Sequence, residues 1–401
     1  MASVISDELP TAFDVACSER LERFMEEASP LETADEQLKR QQILAALAAI
    51  FQDWVRSVCL SKGLTADVAD RAGGQVYTSG SYRLGINEKG MDIDTICVAP
   101  RHVTREDFFD SLKVILEDHD SVENLSSIES AVVPIITFDF DSVNIDLLFA
   151  SLPVDAVPRD FDINDDNVLR GADVGSEKSL NGPRVTNLIE RLVPNFDSFL
   201  QLVRCVRYWA KKRGLYANKM GYLGGVNWNI LAAFICQLYP RAAPALLLER
   251  FFFILRDWKW PTPILLTPQY DAGLGLDSWD PSFGSNRFHV MPILTPAYPS
   301  MNSSLAVSRQ SLEVMQEDEG YYGAWFAGVV LHHKAPDKIG IEYDELVRMV
   351  RSHLGLARDA LPSSKLRALW LALDEDASGF LSARELDAIE SSCREFHAKD
   401  D

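Results

Sequence analysis

The sequence predicts an α+β chain in which a β-rich, aspartate-bearing unit is followed by a mainly helical segment and then by a small helical module. Three observations predict this. Runs rich in β-branched residues cluster between Gln75 and Phe149, apolar residues recur at helical spacing from Phe199 onward, and the composition changes near residue 320. The 401 residues allow two to three domains, and the 47% hydrophobic content is that of an ordinary globular protein.

Residues 1–38 combine a loose N-terminus with a short amphipathic stretch at Leu21, Phe24 and Met25, followed by an acidic turn-like region. A long helix is expected from near Asp35 through Ile43, Leu47, Phe51, Trp54, Val55 and Val58, whose spacing of three and four buries one broad face. Strands are expected at Gln75–Thr78, Met91–Val98, 132–138 and 143–149, and a helix at Phe108–Leu116. An acidic, irregular connection spans Asp155 to about Ser176. Helices follow at Phe199–Lys212, Gly225–Tyr239, Ala245–Trp258 and Val307–Glu317, with proline- and glycine-rich loops from Trp260 to Pro299. The expected division is 1–38 as a segment packing with the middle domain, 39–154 as the β-rich unit, 155–319 as the helical middle, and 320–401 as the C-terminal module.

Chemistry concentrates in three places. In the first, Asp92 and Asp94 project to one side of a strand, and Asp146 lies in the apolar run Ile145-Asp146-Leu147-Leu148-Phe149, where an ionised carboxylate needs a partner or a metal. Three such carboxylates suit a pair of Mg²⁺ (or Mn²⁺) ions, one activating an attacking hydroxyl and one stabilising a leaving pyrophosphate. Upstream, Gly80-Ser81 reads as a turn entering a short helix, where free N–H groups can hold phosphate oxygens. In the second place, Arg204, Arg207 and Lys211 recur on one helical face, with Lys212, Arg213 and Lys219 beyond them. With a formal net charge of −20, general adhesion to nucleic acid is disfavoured, so any such contact must be local to a stripe like this one.

The third place is Asp374 to Glu385, which has the ligand pattern of an EF-hand calcium loop. Asp374, Asp376 and Ser378 would offer side chains, Phe380 a carbonyl, Ser382 a direct or water-mediated contact and Glu385 a bidentate carboxylate. One Ca²⁺ at most is expected, since Gly340 to Val350 resembles only the exit half of a second, degenerate EF-hand and the residues before it, Lys334 to Lys338, lack the required carboxylates. The six cysteines, at positions 17, 59, 97, 205, 236 and 393, form no CxxC pair and read as reduced core residues rather than a zinc or disulfide framework. His332-His333 has no third ligand nearby. The N-terminus lacks the features of a secretory signal, and the richest apolar run, around Leu246 to Leu255, is broken by Glu249 and Arg250; an intracellular protein with no membrane association is expected.

Gly80-Ser81-Tyr82-Arg83-Leu84-Gly85, Gly90-Met91-Asp92-Ile93-Asp94, Ser179-Leu180-Asn181-Gly182, Arg184-Val185-Thr186, Gly221-Tyr222-Leu223-Gly224-Gly225-Val226 and Met291-Pro292-Ile293-Leu294-Thr295-Pro296-Ala297-Tyr298-Pro299 together resemble the eukaryotic nuclear poly(A) polymerase family, collinearly over residues 1 to about 315. The resemblance implies a polymerase-β-like nucleotidyltransferase domain with a helical middle domain, ATP bound between them, and the RNA 3′ end meeting it there. It also implies a metal triad at Asp92, Asp94 and Asp146 and a triphosphate turn at Gly80 and Ser81. Asn181 would lie near the sugar, Tyr216 at a phosphate, and Gly225 and Val226 beside the adenine. Arg207 and Lys211 would complete the nucleotide site, although the family usually has lysine where this chain has Arg207, a change of reach and hydrogen-bond geometry. A nuclear location and contact with mRNA 3′-end processing factors are likewise implied.

The family's RRM-like RNA-binding domain is not recognisable beyond 320, from which weaker RNA grip is expected. Two alternatives stay open at the level of sequence. One is a terminal transferase preferring another nucleotide. The other is a catalytically weak, calcium-responsive RNA-binding regulator derived from a polymerase.

Overall fold

The computed structural model describes residues 3–131 and 133–316. The calcium-loop residues Asp374 to Glu385, the histidine pair and Cys393 lie outside them.

In chain order the helices are α1 (Ala12–Ala28), α2 (Ala34–Ser61), α3 (Ala66–Ala72) and the single turn α4 (Gly80–Arg83). Next, α5 (Arg105–Asp107) runs through a π-turn at Phe108–Leu112 into α6 (Lys113–Glu117). The helices continue with α7 (Val174–Leu192), α8 (Phe196–Lys212), α9 (Gly225–Leu238) and α10 (Pro244–Asp257), and residues 309–316, within the stretch expected to be helical, are helical as well. The strands are β1 (Gln75–Thr78), β2 (Ile93–Pro100), β3 (Val122–Ile128), β4 (Ile135–Phe140) and β5 (Val143–Leu152). They form one sheet in the order β1-β2-β5-β4-β3, antiparallel except for the parallel pair β2 and β5.

The chain divides into two compact units. One contains Ser29–Pro240 and Trp260–Val307, with the first few residues; the other contains Asp7–Ala28, Arg241–Lys259 and, among the described residues, 308–316. In the smaller unit α1 packs on α10 through Cys17, Leu21 and Met25, and Ser18 accepts the Ala245 N–H at 3.1 Å.

In the larger unit the sheet is covered on both faces, and strand periodicity assigns the coverings. Ile93, Cys97 and Ala99 of β2, with Ile145, Leu147 and Phe149 of β5, join the core made with α2, α3 and the helical run from Phe108 to Leu116. Full burial of each large side chain there contributes about 1.5–3 kcal/mol. The alternate residues, Ile96 and Val98 with Ala150 and Leu152, meet Leu180 of α7, Ile163, Val168 and Tyr298. Asp94 and Asp146 belong to this second set by parity. The helix α2 begins in a full capping box, with Thr33 and Glu36 each satisfying the other's backbone N–H.

Three features depart from the sequence-based reading. The strand β3 was not expected, and the 19-residue helix α7, which begins at the end of the irregular connection and lies mostly in the part expected to be mainly helical, was not placed as an element. And α2 is, by length and composition, apolar enough to cross a membrane, contrary to the expectation that no run would be. Its apolar residues Ile43, Leu47, Phe51, Trp54 and Val55 are buried against the sheet, which accounts for the apolarity as core packing.

Candidate active site

The register of the parallel pair builds the site, because Asp94 of β2 stands opposite Asp146 of β5. Asp92, two residues before Asp94, projects to the same side. The three carboxylates each bring an oxygen within 4.8 Å of the other two. Desolvation, then the charges of Asp92 and Asp146, push the Asp94 carboxyl up to about 7, with Arg207 opposing them. Desolvation and Asp92 also raise Asp146. Three mutually repelling oxygen donors suit a hard divalent cation, so the residues fit the metal that the fold implies.

A pH dependence follows. In metal-free protein the folded-state value of Asp94 lies above the ordinary 3.8, so the folded chain holds the extra proton between about pH 4 and 7 and loses stability as pH rises through that window. In chelator at pH 8, Asp94→Asn is therefore expected to be more stable than the wild type by on the order of 2 kcal/mol after allowing for partial solvent contact, with the gap closing near pH 4. Thermal melts across that range measure it, and a constant gap would contradict it.

The turn before the strand is fitted to this cluster. Gly80 has φ +61, and a Cβ there would run into the Asp94 carboxylate. Ser79 donates its N–H to the Asp94 carbonyl at 2.9 Å, and Gly80 donates to Thr186 Oγ1 at 3.2 Å. The Gly80 N–H is thereby engaged, leaving those of Ser81 and Tyr82 as the first-turn donors without an intrahelical acceptor. Ser81 is itself buried. A Cβ at Gly182 would sit 3.4 Å from Ser79 Oγ, which puts this turn of α7, with half-buried Asn181 next to it, against the same loop.

The basic helix splits into different roles. Arg204 donates to the Ser29 carbonyl at 3.1 Å and serves the fold, so the stripe is not one uniform phosphate-facing row. Arg207 is 3% exposed and donates to Tyr216 Oη at 2.9 Å. Lys211 lies 5.6 Å from the Tyr216 ring centroid and is ion-paired with Glu88. Gly225 opens α9 close by, where a Cβ would come within 2.7 Å of Tyr216 Oη; Val226 next to it is 38% exposed. Tyr216 thus ties Arg207, Lys211 and Gly225 together; burial pushes its phenol up, Arg207 opposes that, and Glu88 and Asp92 add to the rise.

Sequence reasoning missed Glu88, Arg40 and the role of Thr186. Arg40 of α2 pairs with Glu32 and donates to the Met91 carbonyl, directly before Asp92. No local signal marks the Met91 contact, 51 residues from Arg40, and the eight residues between Glu32 and Arg40 match no helical or strand ion-pair spacing that a sequence pattern reads.

The chain matches the sequence models of the poly(A) polymerase nucleotidyltransferase domain over residues 1–193 and of the poly(A) polymerase central domain over 198–333. It is 44% identical over 309 residues to nuclear poly(A) polymerase 1 of Arabidopsis thaliana, covering 77% of this chain and 43% of that protein. It is 42% identical over 316 residues to a poly(A) polymerase of Dictyostelium discoideum, covering 78% and 39%. The chain therefore spans less than half the length of these curated relatives. Among solved structures, a cytoplasmic RNA terminal U-transferase superposes with a TM-score of 0.51 at 14% identity, over 80% of this chain and 93% of that one, a likeness of fold. The sheet and its helices are the polymerase-β-like nucleotidyltransferase fold, and the chain belongs to the poly(A) polymerase family.

Proposed function

We propose that this chain is a template-independent polynucleotide adenylyltransferase, which joins AMP from ATP to an RNA 3′-hydroxyl and releases pyrophosphate. The observation that carries the reading is the opposed pair Asp94 and Asp146 with Asp92 beside it, in a member of this family. Asp92, Asp94 and Asp146 would hold Mg²⁺ or Mn²⁺. Bound there, the metal supplies positive charge that acidifies the attacking hydroxyl and offsets charge developing on the phosphates.

The protein's own groups would do the rest. The first turn of α4 offers the N–H groups of Ser81 and Tyr82 toward a phosphate, with Gly80 allowing the backbone to approach Asp94. Arg207 and Lys211 supply two cations for the triphosphate, and Tyr216 fixes the Arg207 guanidinium while reaching a phosphate itself. Asn181 would meet the sugar. Gly225 and Val226, small residues at the start of α9, would leave a flat contact for the adenine. The nucleus is the proposed location, since two of the curated relatives are named nuclear, and mRNA 3′-end processing factors are the proposed partners. The loop from Asp374 to Glu385 is proposed to take one calcium.

Extension of a short oligo(A) primer with Mg²⁺ and each nucleoside triphosphate in turn tests the reading. ATP is expected to be the preferred substrate, and Asp94→Ala to reduce extension by at least about 1,000-fold with the fold intact. Equal extension with UTP would replace the adenylyl assignment with a different terminal transferase, and an active Asp94→Ala would remove the metal site from the reaction. Repeating the assay with added calcium reads any response of the tail loop.

A further inference from the structure

Lys211 is not waiting free for a phosphate, because Glu88 already holds it. The two partners differ in freedom. Glu88 is 8% exposed and lies in a turn fixed from several sides: its N–H donates to the Ile86 carbonyl at 3.1 Å, Met91 donates back to its carbonyl at 3.3 Å, and Glu32 donates to the Asn87 carbonyl at 2.9 Å. The same turn bridges to Leu31. The Lys211 side chain is 40% exposed, at the last turn of α8, on four rotatable carbons. One oxygen of Glu88 meets Lys211, and the other, Oε1, is buried with no hydrogen-bond partner. The neighbouring cations are engaged elsewhere: Arg207 on Tyr216, Arg40 on Glu32, and Lys89 on Glu36 at 3.4 Å.

We propose that Glu88 is a built-in rival of the nucleotide's triphosphate, a fixed carboxylate that occupies Lys211 in the free protein and must surrender it when the phosphate chain binds. The proposal rests on the reading of Lys211 as a triphosphate ligand. Its physical basis is that one ammonium cannot fully serve two anions. When Lys211 swings to phosphate, Glu88 is left as a buried carboxylate without its counter-charge, beside an incoming polyanion. Both effects weaken the bound state relative to the free one. Glu88 therefore sets nucleotide affinity and favours departure of pyrophosphate, the product that shares those phosphates. It acts through Lys211 and is a positioning residue.

The test is calorimetric binding of ATP and of inorganic tripolyphosphate, with Mg²⁺, to the full chain as wild type, Glu88→Gln, Lys211→Gln and the double variant. Glu88→Gln is expected to bind both ligands about 3- to 10-fold tighter, and this gain to vanish in the Lys211→Gln background. Primer extension should show a lower KM for ATP without a matching rise in kcat. Glu88→Asp retracts the carboxylate by one methylene, gives a smaller gain of the same sign, and serves if the Gln variant does not fold. Unchanged or weaker binding by these variants, or a gain that persists without Lys211, overturns the proposal alone. Absence of ATP and tripolyphosphate binding by the wild type at millimolar concentration overturns both it and the nucleotide-site reading.

Discussion

Gly80→Ala is expected to lower nucleotide addition by roughly 100-fold or more while costing the fold only about 1–2 kcal/mol. The backbone term is modest, since φ +61 is a conformation that alanine adopts at a small penalty. The larger effect is on position. The new Cβ would collide with the Asp94 carboxylate, so either that side chain turns away or the α4 turn shifts off β2, to which Ser79 anchors it. The first route moves a carboxylate that must stand within reach of Asp92 and Asp146, and the second displaces the N–H groups of Ser81 and Tyr82. Gly85→Ala is the control: it has φ +75 but open space where the Cβ would go, so it carries the same strain and no collision. Measured extension rates should separate the two variants, and Gly80→Ala with wild-type turnover would show that the cluster tolerates the displacement.

The elements legible in the sequence were those marked by runs of β-branched and aromatic residues or by apolar residues recurring at helical spacing. The strand at Gln75–Thr78 appears with the predicted bounds, and α8 and α9 differ from expectation only at their ends. The strand β3 escaped because it lies at the sheet edge, with Glu123, Asn124, Ser126 and Ser127 among its seven residues and Asn124 at φ 53, so it presents neither an apolar run nor a clean alternation. The helix α7 escaped for a related reason: Gly175, Gly182 and Pro183 are poor helix formers, and several of its buried positions are polar, including Ser176, Ser179 and Thr186. In the site, the two residues of an Asp-x-Asp can be assigned to one face from sequence, whereas the opposition of Asp94 and Asp146 depends on a register between strands about 50 residues apart. The basic stripe was legible as a stripe. That Arg204 serves the backbone and Lys211 serves Glu88 is decided by tertiary partners, and helical spacing carries no information about those.

The second large effect is expected at Arg40, well away from the carboxylates in sequence. Its side chain and that of Glu32 are 6% and 3% exposed, and the guanidinium also holds the Met91 carbonyl. Arg40→Met leaves the Glu32 carboxylate buried without its counter-charge and the carbonyl without its donor, and is expected to destabilise the chain by about 3–5 kcal/mol in chemical denaturation. Adding Glu32→Gln removes the orphaned charge and should recover at least about half of that loss, because most of the penalty belongs to the uncompensated ion rather than to the lost attraction. A single variant as stable as the wild type would mean that solvent reaches Glu32 readily. In the double variant stability and function part. The double variant regains stability but still lacks the clamp on Met91, so its apparent Mg²⁺ affinity should remain below that of the wild type. That difference assigns to the pair the task of orienting the approach to Asp92, since a buried ion pair adds little net stability and its place beside the carboxylate cluster is better explained by geometry.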